Sequence, residues 1–359
     1  MNKKKKILIF TNDHKNVLNL RIDLINFLKK FYDVKILIID KKLKQLQNLH
    51  SLNKKYKSFN LLNDISLLMQ IFNFFRKKKP DLIINFTLKP SIYGSMISCL
   101  LGIKSITVVT GLGSIYLNNY SKMFYLFIMK FIFYINSFVI FQNKFDKKIF
   151  YKSNHKSKII YGSGFNKKIF KYKKKIKNNN FKFLMVSRLL KDKGVIEYLQ
   201  AAKQLKKQYS NKISFCLMFS SDKSFFGIST KYIYKYKKFI KFFNFSKKNY
   251  KNQLNRADCF VLPSYREGFS KTLLEASSNG NVVLSTNVPG CKDIIIHKKT
   301  GFLCQPKSVN SLRSYMKHIY LLSQKQRDII SLSASLLVNK KFSCDKINQD
   351  YLNVIKKII

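Results

Sequence analysis

DCFVLPSYREGFSKTLLEASSNGNVVLST, residues 258–286, is the stretch that decides the fold. CFVLPS (259–264) is an apolar run of strand length ending in a breaker. The polar loop that follows carries Gly268. Thr272–Asn279 has helical spacing and is closed by Gly280. NVVLST (281–286) is a second apolar run. Strand, loop, helix and strand in this order make a βαβ unit, which joins two parallel strands. Its loop and helix hold Glu267 and Glu275, eight positions apart in a chain with 69 basic and only 17 acidic residues.

The same alternation extends outward in both directions. KILIF (6–10), VKILIID (34–40), DLIINFT (81–87) and ITVVTG (106–111) read as strands. Val17–Lys30, Ile65–Lys78 and Ile92–Leu101 read as amphipathic helices, the last two stopped by Pro80 and Gly102. The Lys/Asn-rich FKYKKKIKNNN (170–180) interrupts the pattern. It resumes with strands FKFLMVS (181–187), ISFCLMF (213–219) and FIKFFNF (239–245), and a helix at Gly194–Gln208. Ser308–Ile359 reads as helices. The expectation is an α/β chain of two doubly wound parallel-sheet domains, residues 1–165 and 181–335, with a helical segment at 336–359. A length of 359 residues suits two domains.

The formal charge of +52 raises nucleic acid as a partner. The lysines are scattered rather than gathered on one face, and only seven of the basic residues are arginine. Asn, Ile, Phe and Tyr are abundant as well, and these types share A/T-rich codons with Lys. Codon bias therefore explains the charge, and no specific nucleic-acid partner is expected. The charge still favours anionic phosphates and anionic lipid. Six cysteines with no C-x-x-C pair read as free buried thiols of a reducing compartment. Cys291, His297 and Cys304 have no zinc spacing. MFYLFIMKFIFYINSFVIF (123–141) is broken by Lys130 and by Asn136-Ser137, which predicts a helix, a turn and a short strand. A helix lying on a membrane surface is the second reading, and a true span the third.

No G-x-G-x-x-G follows the first strand, and no P-loop, nucleophile elbow or D-x-D occurs. The 264–271 loop lies where open α/β sheets bind ligands, at the carboxyl end of a strand. Helix amides there carry positive potential suited to a phosphate. The structural alternative is a capping box, with Glu275 bonded back to Thr272. A second loop, SRLLKDKG (187–194), also follows a strand and presents Arg188, one of the scarce arginines, and Lys193.

SRLLKDKG followed by ADCFVLPSYREGFSKTLLEASSNGNVVLSTNVPGCKDII (257–295) resembles the C-terminal half of a family 4 retaining glycosyltransferase of the GT-B fold, with Glu267 and Glu275 as its E-x7-E signature. The N-terminal half is similar to the branch that extends lipid-linked bacterial surface glycans, through NLR (19–21), TLKPSIYG (87–94), TGLGSIY (110–116) and YGSGFNKKIF (161–170). The resemblance implies two Rossmann-like domains facing across a cleft, an acceptor-binding one and a nucleotide-sugar-binding one. It implies that Arg188 and Lys193 neutralise the donor diphosphate, which Phe269, Ser270, Lys271, Thr272 and Leu273 also hold. Glu275 would accept the ribose hydroxyls. Glu267 would be the catalytic residue, beside the reacting carbon of a sugar ring that gains positive charge. Arg21, Lys89, Gly111 and Gly113 would fall on the cleft and acceptor side.

The implied donor is a UDP-sugar or another nucleotide sugar, carrying an N-acetylhexosamine or a hexose. The acceptor would be a polyprenyl-diphosphate-linked glycan of cell-surface polysaccharide, lipopolysaccharide or glycoprotein-glycan synthesis. The leaving phosphate would assist the acceptor hydroxyl, giving retention, with no metal required. The expected location is cytoplasmic, peripheral to the inner face of the plasma membrane. Several positions depart from the family: TNDHKN (11–16) replaces a glycine-rich loop, Thr110–Gly113 lacks a histidine, Ser270 stands where proline is frequent, and Ser220 and Ser221 replace glycines. The alternatives are a GT-B epimerase acting on a UDP-sugar, a glycan phosphorylase of similar shape, and a non-catalytic basic binder of nucleic acid or membrane.

Overall fold

A computed structural model of the chain describes residues 4–41, 47–54, 61–112, 119–150, 156–176, 180–221 and 227–359. The chain divides into two compact units, Met1–Ser163 with Cys344–Ile359, and Gly164–Ser343.

The first unit runs β1 (Lys6–Thr11), α1 (His14–Asn16), α2 (Ile22–Leu28), β2 (Asp33–Ile38), β3 (Leu49–Ser51), α3 (Leu61–Lys78), β4 (Leu82–Phe86), α4 (Ser95–Leu100), β5 (Lys104–Val109), α5 (Asn119–Ile135), β6 (Phe138–Phe141), α6 (Lys144–Phe150) and β7 (Ser157–Ile159). All its strands are parallel, in the order β3-β2-β1-β4-β5-β6-β7. Parallel strands covered on both faces have no polar side to alternate with, and every residue of LIINF in β4 is buried. The helix expected over Val17–Lys30 is instead interrupted. A wide π turn, Val17–Arg21, separates α1 from α2 and ends at the buried Arg21. The edge strands β3 and β7 span three residues each, too short for any periodic signal to reveal.

The second unit runs β8 (Phe181–Arg188), α7 (Val195–Tyr209), β9 (Ile213–Ser220), α8 (Thr230–Tyr234), β10 (Ile240–Asn244), α9 (Lys247–Arg256), β11 (Cys259–Leu262), α10 (Lys271–Ser278), β12 (Val282–Thr286), β13 (Phe302–Cys304), α11 (Val309–Leu321) and α12 (Gln324–Phe342). Its parallel sheet has the order β10-β9-β8-β11-β12-β13. An apolar core around Phe183, Tyr198, Phe215 and Met316 joins one face of this sheet to α7 and α11. The helical run read from Ser308 to Ile359 splits between the units: α13 (Cys344–Ile358) packs Tyr351, Leu352 and Ile355 among Ile25 and Leu28 of the first unit.

In each sheet the strand order reverses once, between β1 and β4 and between β8 and β11. Crossovers on opposite faces diverge there, leaving a crevice at the carboxyl ends of the strands. Five of the six cysteines are buried and free, whereas Cys99 is exposed. Among the described residues, no helix is long and apolar enough to cross a membrane.

The break predicted at Asn136-Ser137 has a buried polar origin. The Asn136 amide donates to Ser95 Oγ (2.8 Å) and the Ile132 carbonyl (2.7 Å), and its Oδ1 accepts from Ser105 Oγ (2.9 Å) and Thr107 Oγ1 (3.2 Å). One side chain thus ties the end of α5 to α4 and β5. Buried networks are strong when every member is bonded and costly when one is removed. Asn136→Ala is therefore expected to destabilise the first unit by about 2–4 kcal/mol, read as a lower denaturant midpoint by circular dichroism. An unchanged midpoint would show the network to be dispensable.

Candidate functional site

The reversal point of the second sheet brings two loops together. β8 ends at Arg188, which is exposed, and the chain then turns through a single 3-10 turn, Lys191–Lys193, to Gly194. Gly194 has φ +68°, and a Cβ placed there would lie 2.1 Å from the carbonyl oxygen of Pro263, just beyond β11. Only glycine accepts both the backbone angle and the approach. The amide of Tyr265 then donates to the Asp192 carbonyl at 2.8 Å. A third loop joins them after β12. Gly290, φ +81°, would set a Cβ 2.5 Å from the Glu267 carbonyl and 2.7 Å from that of Gly268.

This interlocking sets the side chains. Lys193 Nζ lies 2.8 Å from Glu267 Oε1, both side chains being less than one-fifth exposed. The same oxygen accepts from Ser264 Oγ at 2.7 Å, and Ser264 is fully buried. Glu267 is thereby oriented by two donors, one charged and one neutral. Lys193 has three N–H donors, of which Glu267 takes one.

The capping box that was the structural alternative for Glu275 does not form. α10 begins at Lys271 with Ser270 as its extended N-cap, whose Oγ accepts from the Leu273 amide at 3.3 Å. The helix therefore starts one residue earlier than read. Thr272 lies inside the first turn, and Glu275 falls in the second, out of reach of a cap. Glu275 instead accepts at Oε2 from the hydroxyl of Tyr250, at 2.8 Å. Both residues are buried. Burial, then the neighbouring carboxylate, pushes the Tyr250 phenol well above its ordinary pKa.

Arg188 ends β8, and Lys193, Glu267, Phe269, Ser270, Lys271, Thr272, Leu273 and Glu275 stand on the loops after β8 and β11 or on α10. The remaining site residues read from sequence belong to the first unit. Arg21 is buried with its guanidinium 3.9 Å over the Phe86 ring, and burial lowers its pKa to about 10. Lys89 is buried in an ion pair with Asp64 at 2.6 Å. Gly111 follows β5 with φ +121°. Gly113 lies outside the described residues. Among the described residues no three His, Cys, Asp or Glu side chains gather as metal ligands.

Four participants were not read from sequence: Glu197, Tyr250, Ser264 and Gly290. Glu197 accepts from the Tyr265 hydroxyl at 2.5 Å. All three glutamates of the chain are thus engaged around this end of the second sheet. That rarity was the available signal for Glu197. Tyr250 had none, since it lies 25 positions before Glu275 on a polar helix.

Comparison with known proteins agrees with this fold. The family model described as glycosyl transferases group 1 matches residues 166–334, and that described as glycosyl transferase 4-like matches residues 6–143. The chain is 25% identical to the capsular polysaccharide biosynthesis glycosyltransferase CapM of Staphylococcus aureus, over 88% of this chain and 87% of that one. It is 27% identical to the N,N'-diacetylbacillosaminyl-diphospho-undecaprenol alpha-1,3-N-acetylgalactosaminyltransferase of Campylobacter jejuni, over 49% of this chain and 44% of that one. Anabaena Alr3699/HepE, solved with UDP and glucose, superposes with a TM-score of 0.79 at 17% identity, covering 98% and 100% of the two chains. The sucrose-phosphate synthase of Thermosynechococcus elongatus gives 0.84 at 16%, covering 99% of each. At such identities the structures establish the shared fold.

The loop contact is testable by itself. Gly194→Ala adds a methyl group where 2.1 Å separates it from Pro263 O, at a backbone angle unfavourable to alanine. A loss of about 2–4 kcal/mol is expected from strain and overlap together, measured as a fall in Tm. An unchanged Tm would mean that the two loops have room to part.

Proposed function

The chain belongs to the group 1, 4-like glycosyl transferases of GT-B fold, and from that premise we propose that it moves a hexose or N-acetylhexosamine from a nucleoside diphosphate sugar to a polyprenyl-diphosphate-linked glycan in cell-surface polysaccharide synthesis. The observation that carries this is the Lys193–Glu267 pair at the reversal point of the second sheet, with Arg188 at the end of the adjoining strand. A cation and an oriented carboxylate side by side suit a substrate that separates charge. The leaving diphosphate gains negative charge while the sugar ring gains positive charge.

In this proposal Arg188 grips phosphate oxygens with its planar fork, and Lys193 turns its remaining donors to the same group. The α10 N-terminus, Phe269–Thr272, adds backbone amides and a favourable dipole, whereas the Leu273 amide expected to join them is taken by the Ser270 hydroxyl. These groups carry the diphosphate charge without a metal. Glu267 stands against the developing positive charge at the reacting carbon, and Glu275 takes the ribose hydroxyls. The bond from the reacting carbon to the diphosphate oxygen breaks, and the acceptor hydroxyl oxygen bonds to that carbon. Its proton passes to the departing diphosphate, on the same face, which gives retention. The UDP in the Anabaena neighbour and the diphospho-undecaprenol in the name of the Campylobacter relative support a uridine donor and a lipid-linked acceptor.

A lipid-linked acceptor asks for contact with a membrane, and α5 supplies a suitable face. Met123, Phe124, Phe127, Phe131 and Tyr134 are all more than half exposed and fall on one side of the helix. A groove of about 280 Å³ beside them is lined by Lys130, Phe133, Tyr134, Phe150 and Lys156. Aromatic rings with lysines at their margin match the headgroup region of an anionic bilayer. This face supports the reading of peripheral attachment to an anionic membrane surface, which we place at the cytoplasmic side as part of the proposal.

Arg188→Ala and Glu275→Ala are each expected to lower kcat/KM for sugar transfer by about 10²–10³, with Tm within a few degrees of the parent. Wild-type turnover in both would sink the assignment. A thermal-shift screen with nucleotide sugars chooses the donor for that assay.

For the membrane, the triple variant Phe124→Ser/Phe127→Ser/Phe131→Ser is expected to lose most of its co-sedimentation with anionic phosphatidylglycerol vesicles at low salt. Retention equal to the parent would place the contact elsewhere.

A further inference from the structure

We propose that Tyr250 is a positioning residue for donor recognition, a buried phenol that fixes the plane of the Glu275 carboxylate so that it meets the ribose diol of a nucleoside diphosphate. The inference rests on the assignment of Glu275 to the ribose.

The geometry begins with the cap of α10. Ser270 has taken the cap of α10, and Glu275 lies one turn further on, where helix amides are bonded within the helix. The amides of its own helix are thereby engaged elsewhere. A carboxylate only 7% exposed needs a fixed donor in place of the water it has lost. Tyr250 supplies one, its hydroxyl 2.8 Å from Oε2. A hydrogen bond to a charged acceptor is stronger and shorter than a neutral one, and so holds direction as well as distance.

Tyr250 cannot easily turn away. It is the fourth residue of α9, whose N-cap Ser246 accepts from the Asn249 amide at its side chain and from the Tyr250 amide at its carbonyl (2.8 Å). The ring packs near Phe245 at 5.8 Å and Phe170 at 6.1 Å between centroids. Three elements therefore fix the phenol: the end of β10, the helix α9, and the segment entering the unit at Phe170. Two vicinal hydroxyls of a ribose converge on one acceptor, and a carboxylate free to rotate would meet them in only part of its range. The hydroxyl of Tyr250 removes that freedom before the ligand arrives.

A purely structural bond between α9 and α10 would have a different signature. Its loss would weaken folding, and would weaken every ligand alike. A positioning bond acts only through the ribose hydroxyls.

The test uses Tyr250→Phe, Glu275→Gln and the double variant in the full chain, with calorimetric affinities for UDP and 2′-deoxy-UDP, and for the ADP and GDP pairs in parallel. The parent is expected to prefer the ribonucleotide by about tenfold or more. Tyr250→Phe should lose about fivefold to tenfold on the ribonucleotide and little on the deoxy form. Its KM for the sugar nucleotide should rise by the same factor, with kcat within twofold. The double variant should bind no more weakly than Glu275→Gln. If Tyr250→Phe keeps the parent's preference while Glu275→Gln loses it, the positioning role falls and the assignment of Glu275 stands. If Tyr250→Phe weakens both forms equally, the bond is structural and the proposal is overturned. If neither variant changes the preference, the assignment of Glu275 falls, and the inference with it.

Discussion

Between Gly194 and the Pro263 carbonyl there is no space for one more carbon atom. The site of the second unit depends on that contact. It lets the loop after β8 lie against the end of β11, and Gly290 closes a third loop onto the carbonyls of Glu267 and Gly268 in the same way. Backbone packed on backbone leaves little latitude for the side chains that project from it. Lys193 precedes one contact, and Glu267 provides the other. Their 2.8 Å separation is the consequence of how tightly the loops are seated rather than of mutual attraction alone. Two flexible side chains at a surface would gain little from pairing, because solvent screens them and their entropy opposes it.

The chain sets a second constraint through its charge. With a formal +52, its potential attracts anions everywhere, so charge alone cannot mark a binding site. What marks it is the opposite sign. The only three glutamates engage Tyr265, Ser264 and Tyr250, each accepting from a hydroxyl held by the fold. A carboxylate beside a diphosphate would repel it if free to move. Tied to a hydroxyl, it can be set to face sugar hydroxyls or a developing cation, away from the phosphates. The hydroxyl partners would thus reconcile acidic side chains with the anionic donor proposed above.

The architecture was legible because both sheets are parallel and buried on both faces. Such strands appear as short apolar runs, and the helices between them carry their own period, so CFVLPS and NVVLST could be read without ambiguity. Three-residue strands such as β3 and β13 fall below the length at which any period exists. The loops of the site were found by rule, from the carboxyl ends of strands and the scarce Arg188. Their internal wiring was not. Whether Thr272 or Ser270 caps α10 depends on one residue's extended backbone, and both hydroxyl residues satisfy the pattern. Tyr250 meets Glu275 only through tertiary packing across 25 residues, and polar helices such as KKNYKNQLNR give no sign of what lies on their inner side.

The departures from the family follow the same physical line. Where a serine stands in place of proline, at position 270, it caps α10 through its hydroxyl, a bond that proline could not make. Ser220 ends β9 and Ser221 follows it, at the positions where the resemblance would lead one to expect glycine. Glycine remains where a Cβ has no place to go: at 194 and 290 in the site, at 280 against the Lys173 carbonyl, and at 301 against Val283. A composition weighted toward Lys, Asn, Ile and Phe can spread over every surface that tolerates it. It stops at positions where close packing leaves no room for a side chain, and two of them, 194 and 290, hold the loops of the candidate site together.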